Sequence, residues 1–179
     1  MTPIVPEFSR HVRVDQIPAA GITLDLKAKP AELAALAERF GLQSIDDLEA
    51  TVTLKAVAGG TIFRLDGRFC AHVVQTCVVT LEPVPATVAE EFSLTYGGVE
   101  ADEYDAEIEL SLEEDDPPDP VVDGMIDVGE AVAEHVALAL DPFPRKPGTA
   151  FEGGDPEPEE EEKRPNPFAV LAELRKNKG

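Results

Sequence analysis

Residues 48–76 read LEATVTLKAVAGGTIFRLDGRFCAHVVQT, and this stretch decides the fold. Leu48, Ala50, Val52, Leu54 and Ala56 alternate with polar partners, the period of a strand with one face buried. Gly59-Gly60 is tight-turn chemistry, so the chain reverses there into Thr61–Leu65. Asp66-Gly67 admits two readings: another two-residue turn, or a glycine bulge inside one long strand that ends near Thr76. Turn statistics alone favour the hairpin.

Working outward from this stretch, the same period recurs on both sides. Phe8 to Val14, with Arg10 and Arg13 interleaved, reads as a short strand; Ile22, Leu24 and Leu26 alternate with Thr23, Asp25 and Lys27 as a second. A helix over 30–40 follows. Pro30 suits its first turn, Glu32 faces the positive end of the helix dipole, Leu33, Leu36 and Phe40 form a stripe, and Gly41 caps the end. Beyond residue 76, Val84, Ala86, Val88, Phe92 and Leu94 make a further strand between Pro83-Val-Pro85 and Gly97-Gly98. Ile108 and Leu110 alternate with glutamates, so 105–112 reads as a charged edge strand. EDDPPDP (114–120) interrupts regular structure. Asp127 with Glu130 reads as a capping box that opens a helix over 127–140, with Val128, Val132, Val136 and Leu140 at fourfold spacing. Asp141-Pro142-Phe-Pro144 ends it. The expected fold is α+β: an antiparallel, strongly curved or barrel-like sheet of about five to seven strands, with both helices packed on it or closing its ends.

The 179 residues are enough for one medium domain with tails. A core of about 120–140 residues buries roughly two-thirds of its surface and needs no disulfide or metal staple. The net charge is −21, and it is uneven. Residues 1–95 carry 12 acidic and 8 basic side chains, whereas 96–179 carry 24 and 7. From Glu100 to Glu130 there are 14 acidic residues and no basic one, the signature of a solvated loop or interaction tail. Residues 142–167 hold seven prolines and three glycines around EPEEEE (157–162), which reads as a flexible linker. The expected organisation is therefore a domain over 1–145 with a mobile acidic loop at about 100–124, a disordered acidic linker over 146–165, and a C-terminal helical segment over 166–179. That last helix has Asn166 as cap, Pro167 at its first position, and a stripe of Phe168, Leu171 and Leu174. There is no basic, apolar leader in MTPIVPEFSR and no run of 18 apolar residues, so the expected location is the cytoplasm, with no membrane contact.

Chemistry-bearing clusters are few. Cys70, His72 and Cys77 have no standard zinc spacing and lack a fourth ligand. Cys70 and His72 share one strand face and Cys77 falls on the other. Both cysteines are expected to be small buried hydrophobes beside a surface histidine, and no cofactor or metal is expected. Gly-rich phosphate cradles and nucleophile elbows are absent from the sequence, and the paired carboxylates of 100–130 read as a solvated face. Arg10–His11–Arg13, Arg64–Arg68 and Arg145–Lys146 are the densest cationic groupings, each weaker than a phosphate clamp. Eight Phe, two Tyr and no Trp offer few stacking platforms for RNA.

At GRFCAHVVQTCVVTLEPV (67–84) the chain resembles the YceD family, the large ribosomal RNA subunit accumulation proteins, through Gln75, Cys77, Thr80, Leu81, Glu82, Pro83 and Val84. IDVGEAVAEHVALALDPFPRKPG (126–148) resembles the family's second stretch through Asp127, Glu130, Leu138, Leu140, Pro142, Pro144 and Arg145; NPFAVLAELRK (166–176) is similar to its C-terminal segment. Together these span most of residues 8–176. The family pattern has a glycine inside a continuing strand at Gly67, which favours the bulge over the hairpin. Many relatives carry cysteine pairs at both corners that look like a zinc site, but this chain has only Cys77, with Val78-Val79-Thr80 after it and Arg145-Lys146 where the second pair would stand. The family's metal role is therefore not carried over.

The resemblance implies a non-enzymatic large-subunit assembly factor supporting accumulation of 23S ribosomal RNA. Its relatives' genes commonly neighbour that of a small basic large-subunit ribosomal protein. A chain this acidic is expected to hold a basic large-subunit ribosomal protein, or an assembly intermediate, rather than RNA. The expected contact residues are Glu103, Glu107, Glu109, Glu113, Asp115, Asp116, Arg145, Phe168 and Leu171. Gly67, Gln75, Cys77, Pro83, Asp127, Glu130, Pro142 and Pro144 are expected to be structural. The alternative is direct binding of precursor ribosomal RNA through the less acidic barrel half.

Overall fold

The long alternating stretch forms two of three consecutive long strands. β3 (Ser44–Val57), β4 (Ile62–Thr76) and β5 (Pro83–Gly97) run antiparallel, and β2 (Ile22–Lys27) adds to the outer side of β3. The computed structural model describes residues 6–57, 61–97 and 117–149. The chain divides into two units, Met1–Thr149 and Ala150–Gly179, and every described residue lies in the first. A separate two-stranded antiparallel sheet pairs β1 (His11–Arg13) with β6 (Met125–Asp127). The helices are α1 (Pro30–Phe40) and α2 (Val128–Leu138).

The fold is α+β, but the sheet is not a barrel. In the order β2-β3-β4-β5 the two edge strands do not meet, so the sheet stays open. Four strands leave one apolar face to be covered, and the helices cover it. Leu48, Val52, Leu54, Leu65, Phe69, Ala71 and Val73 point to that face. They form one cluster with Leu36 and Ala37 of α1, Val128, Val132 and Val136 of α2, and Phe8 and Ile126. α1 lies against β3, while α2 reaches β4, β5 and β1.

β3 starts four residues before the alternation visible in the sequence. Its register shifts between Ile45 and Asp47, so Ile45 and Leu48 are both buried although three positions apart. A bulge hides a strand from a period-two search in this way. The reverse holds at Gly67. The expected bulge is absent: Val52, Gly67 and Phe92 stand in unbroken register across β3, β4 and β5. Glycine is needed there because the Phe92 ring lies over it, and a Cβ would collide with that ring. Phe92 in turn stacks on His135 of α2, with ring centroids 4.0 Å apart, and tilts against Phe69 at 6.3 Å. Burial holds His135 below the usual histidine range, against the opposing influence of Glu90, so the stacked ring favours the neutral form.

The Gly59-Gly60 turn, the 105–112 strand, most of the 100–124 loop and the 166–179 helix lie outside the described residues. Of the expected acidic loop, residues 117–124 are described and tied down. Asp119 N–H donates to the Thr95 carbonyl at 2.8 Å, and Val14 N–H donates to the Gly124 carbonyl at 3.0 Å.

Replacing Gly67 with valine should lower stability by about 1–3 kcal/mol, the usual cost of overpacking a filled site. Urea denaturation reads this directly. Combining Gly67→Val with Phe92→Ala should recover part of the loss, because the obstructing ring is gone.

Candidate functional site

Family-pattern residues far apart in sequence meet at one corner, where β4 turns into β5. The backbone N–H of Cys77 donates to the Glu82 carbonyl at 2.9 Å, and Leu81 N–H donates to the Cys77 carbonyl at 2.9 Å. Leu81 adopts φ 60°, a left-handed conformation that is uncommon for leucine, and its side chain stays 75% exposed. The segment after α2 docks on this turn. Gln75 Nε2 donates to the Asp141 carbonyl at 2.8 Å, and Val78 N–H donates to the Pro144 carbonyl at 2.9 Å. Pro144 is buried beneath, Pro142 stays exposed, and Pro83 opens β5.

Cys77 sits at the centre of the corner with no exposed surface. Its Sγ accepts from the Thr80 and Lys146 backbone N–H groups, each at 3.4 Å. Hydrogen bonding from the Thr80 side chain, then from the Lys146 and Thr80 amides, brings the thiol down to about 6, against the opposing effect of burial. Lys146 Nζ also pairs with Glu82 at 3.0 Å and holds that carboxyl below the usual range. This donor set does not fit a metal. It offers one sulfur that accepts from two backbone N–H groups, with the Lys146 ammonium committed to Glu82, and no group of three metal-ligating side chains occurs among the described residues. Cys70, expected to be buried, is exposed on the outer sheet face with His72, because both have the opposite strand parity to Cys77.

Asp127 and Glu130 form a second junction, at the start of α2. Asp127 Oδ1 accepts from the N–H groups of Gly129 and Glu130 at 3.1 and 3.2 Å, and from that of Arg10 at 2.6 Å. Its Oδ2 accepts from the Ser9 hydroxyl at 2.5 Å. The cap is therefore present, but the Glu130 carboxylate turns away from it to Arg39 of α1, at 2.6 and 3.0 Å. Arg39 also holds Glu7 at 3.0 Å. Gly129 leaves room for the Phe8 carbonyl. Arg39, Lys146 and the Phe92–His135 stack are the partners that sequence spacing did not reveal; an Arg in the last turn of α1 was the one available signal for the first.

An acidic hollow of about 380 Å³ opens beside this junction, lined in part by His11, Tyr96, Asp119, Asp127, Glu130 and Glu134, with no lysine or arginine among the described residues of its wall. Burial, then the neighbouring Glu130 and Asp119, push the Glu134 carboxyl up. Burial, then Asp119 and Glu134, do the same to the Tyr96 phenol. Of the expected contact residues, Arg145 is exposed and pairs with no described carboxylate, while Glu103, Glu107, Glu109, Glu113, Asp115, Asp116, Phe168 and Leu171 lie outside the described residues.

These features define an acidic α+β protein whose family-pattern residues hold corners of the fold together. The family model for the large ribosomal RNA subunit accumulation protein YceD matches residues 65–175, more than half of the chain, and the chain belongs to that family. The match begins inside β4 and covers the corner at Cys77 and the Asp127–Glu130 side of the second junction, but not its partners Glu7, Ser9, Arg10 and Arg39. No curated protein and no solved structure matches the chain.

The Cys77 assignment is testable by titration. In a Cys70→Ser chain, thiolate absorbance near 240 nm should rise with a midpoint near 6, against the ordinary 9.0. Because the folded value is lowered, the stabilisation is full above the unfolded value and is lost as pH falls from about 9 toward 6. Denaturation midpoints should decline over that window, and decline less in Cys70→Ser/Cys77→Ala. A midpoint near 9 would refute the hydrogen-bonded thiolate.

Proposed function

We propose that this protein is a non-enzymatic large-subunit assembly factor that supports ribosomal RNA accumulation by holding a basic large-subunit ribosomal protein or an assembly intermediate. One observation carries this reading: most of the described cations are already engaged by the chain's own carboxylates. Of the ten described lysines and arginines, Arg10, Arg13, Lys27, Arg39, Arg64 and Lys146 are in ion pairs. Phosphate binding draws its affinity from lysines and arginines free to displace counterions, so this pattern disfavours RNA. Eighteen described carboxylates face ten cations, and the remaining eighteen of the chain's thirty-six fall in the other segments against five cations. Among the described residues, the hollow at Tyr96 and Glu134 is itself lined by carboxylates.

Glu103, Glu107, Glu109, Glu113, Asp115 and Asp116 supply the main proposed contact, with Arg145, Phe168 and Leu171 as a second. Complementary charge of this kind steers encounter and rejects like-charged partners. It would also cover the RNA-binding lysines and arginines of an unassembled ribosomal protein. The cytoplasm is the compartment this role requires. The direct-RNA alternative rests on Arg64 and Arg68 of β4. Arg64 is bound to Asp66 at 2.9 Å, and Arg68 stands opposite Glu91 in the β4–β5 register.

Changing the six contact carboxylates to their amides should weaken binding to purified basic large-subunit ribosomal proteins and flatten its salt dependence. Circular dichroism should be unchanged, since solvated charges contribute little to stability. Unchanged binding by this variant, together with loss of precursor-RNA binding in Arg64→Ala/Arg68→Ala, would transfer the function to the RNA reading.

A further inference from the structure

The four-stranded sheet has two edges, and they are not alike. β5 is fifteen residues long, keeps unbroken register with β4 from Pro83 to Gly97, and over most of its length has no neighbour on its other side among the described residues. The direction of its free groups is set by one short contact. Asp119 N–H donates to the Thr95 carbonyl at 2.8 Å, and Gly97 N–H donates to the Asp119 carbonyl at 2.9 Å, so Thr95 and Gly97 point outward. Strand alternation then turns the N–H and C=O groups of Thr87, Ala89, Glu91 and Ser93 outward as well. Pro83 and Pro85 occupy the same outward positions, where the missing N–H costs the sheet nothing. Among the described residues the edge is thus closed by prolines at one end and by Asp119 at the other, and open between them.

We propose that Thr87–Ser93 of β5 takes up an extended, lysine- or arginine-bearing segment of a partner protein as a fifth strand. Long, regular edges invite strand addition, and proteins usually blunt them with lysine, proline or a bulge. The open part of β5 has none of these. It carries Glu90 and Glu91 instead, and β5 contains no basic residue. Those carboxylates select the occupant. A second copy pairing antiparallel about the middle of this edge would set like charges against each other, which is destabilising, whereas a cationic strand is matched. The opposite edge differs: β2 has six residues, and by the same alternation from the Ala28–Leu48 bond its outward positions are Thr23, Asp25 and Lys27. The inference takes the identity of the partner from the basic-protein reading above, but the edge itself is open independently of that reading.

The test uses the full chain and a capped nine-residue peptide of alternating Lys and Val. The peptide should bind, slow hydrogen exchange at the Ala89 and Glu91 amides, and lose at least tenfold in affinity against Ala89→Pro. Asp25→Pro, at the equivalent place on the β2 edge, should bind as the native chain does. A version of the peptide N-methylated along one edge keeps its charge and should not bind. Failure of the peptide to bind at millimolar concentration, binding without protection of those amides, or equal binding by the N-methylated peptide would overturn the edge proposal. The exchange measurement on the native chain decides the matter if Ala89→Pro does not fold. If the peptide is captured at the edge while no basic ribosomal protein binds, the strand site stands and the proposed function fails.

Discussion

An open four-stranded sheet with one apolar face has to be covered, and that constraint places every other described element. β3 and β4 present a continuous row of buried side chains to one side, and polar Thr51, Thr53, Arg64, Asp66 and Arg68 to the other. α1 and α2 supply the cover. Ion pairs then fix the cover in place, with Arg10 joined to Glu32 and Arg39 joined to both Glu7 and Glu130. These pairs are partly exposed, so their role is better described as registering helices and N-terminal segment than as supplying most of the stability. The larger share comes from apolar burial, and each Leu48- or Leu54-sized core truncation would cost about 2–5 kcal/mol.

The parts legible in the sequence were those with a clean period or a strong terminator. β2, α1 and α2 begin and end within a few residues of where alternation, Pro30, Gly41, Asp127 and Pro142 place them. Strand parity put Cys70 with His72 on one face and Cys77 on the other, but Cys70, expected to be buried, turns outward with His72. The misses share a cause, which is that the deciding contact was remote in sequence. Gly67 looked like backbone punctuation, yet its need is steric and comes from Phe92, twenty-five positions away and braced by His135. Glu130 has capping-box spacing, but Arg39 offered it a better partner. Closure into a barrel was a matter of strand count, and no local pattern reports whether two edges meet.

The site was legible as a set of residues and not as a geometry. Gln75, Cys77, Pro142 and Pro144 could be named from their pattern, but only the fold shows them as two corners hydrogen-bonded to each other. Where the pattern of relatives suggests sulfur ligands, this chain joins the corners through amide donors to one sulfur and a Lys146–Glu82 pair. The architecture is thus kept by hydrogen bonds and an ion pair, and the proposed function draws on the charged surface and the edge of β5 instead. The six ion-paired cations and the surplus carboxylates are what support the proposed basic protein partner.

Capture of the tagged full chain from growing cells, with and without ribonuclease, tests that claim most directly. The account predicts that basic large-subunit ribosomal proteins stay bound after ribonuclease and are released by salt, because the contact is between charged proteins. Loss of every ribosomal component on ribonuclease treatment, with precursor ribosomal RNA recovered from the untreated sample, would contradict it.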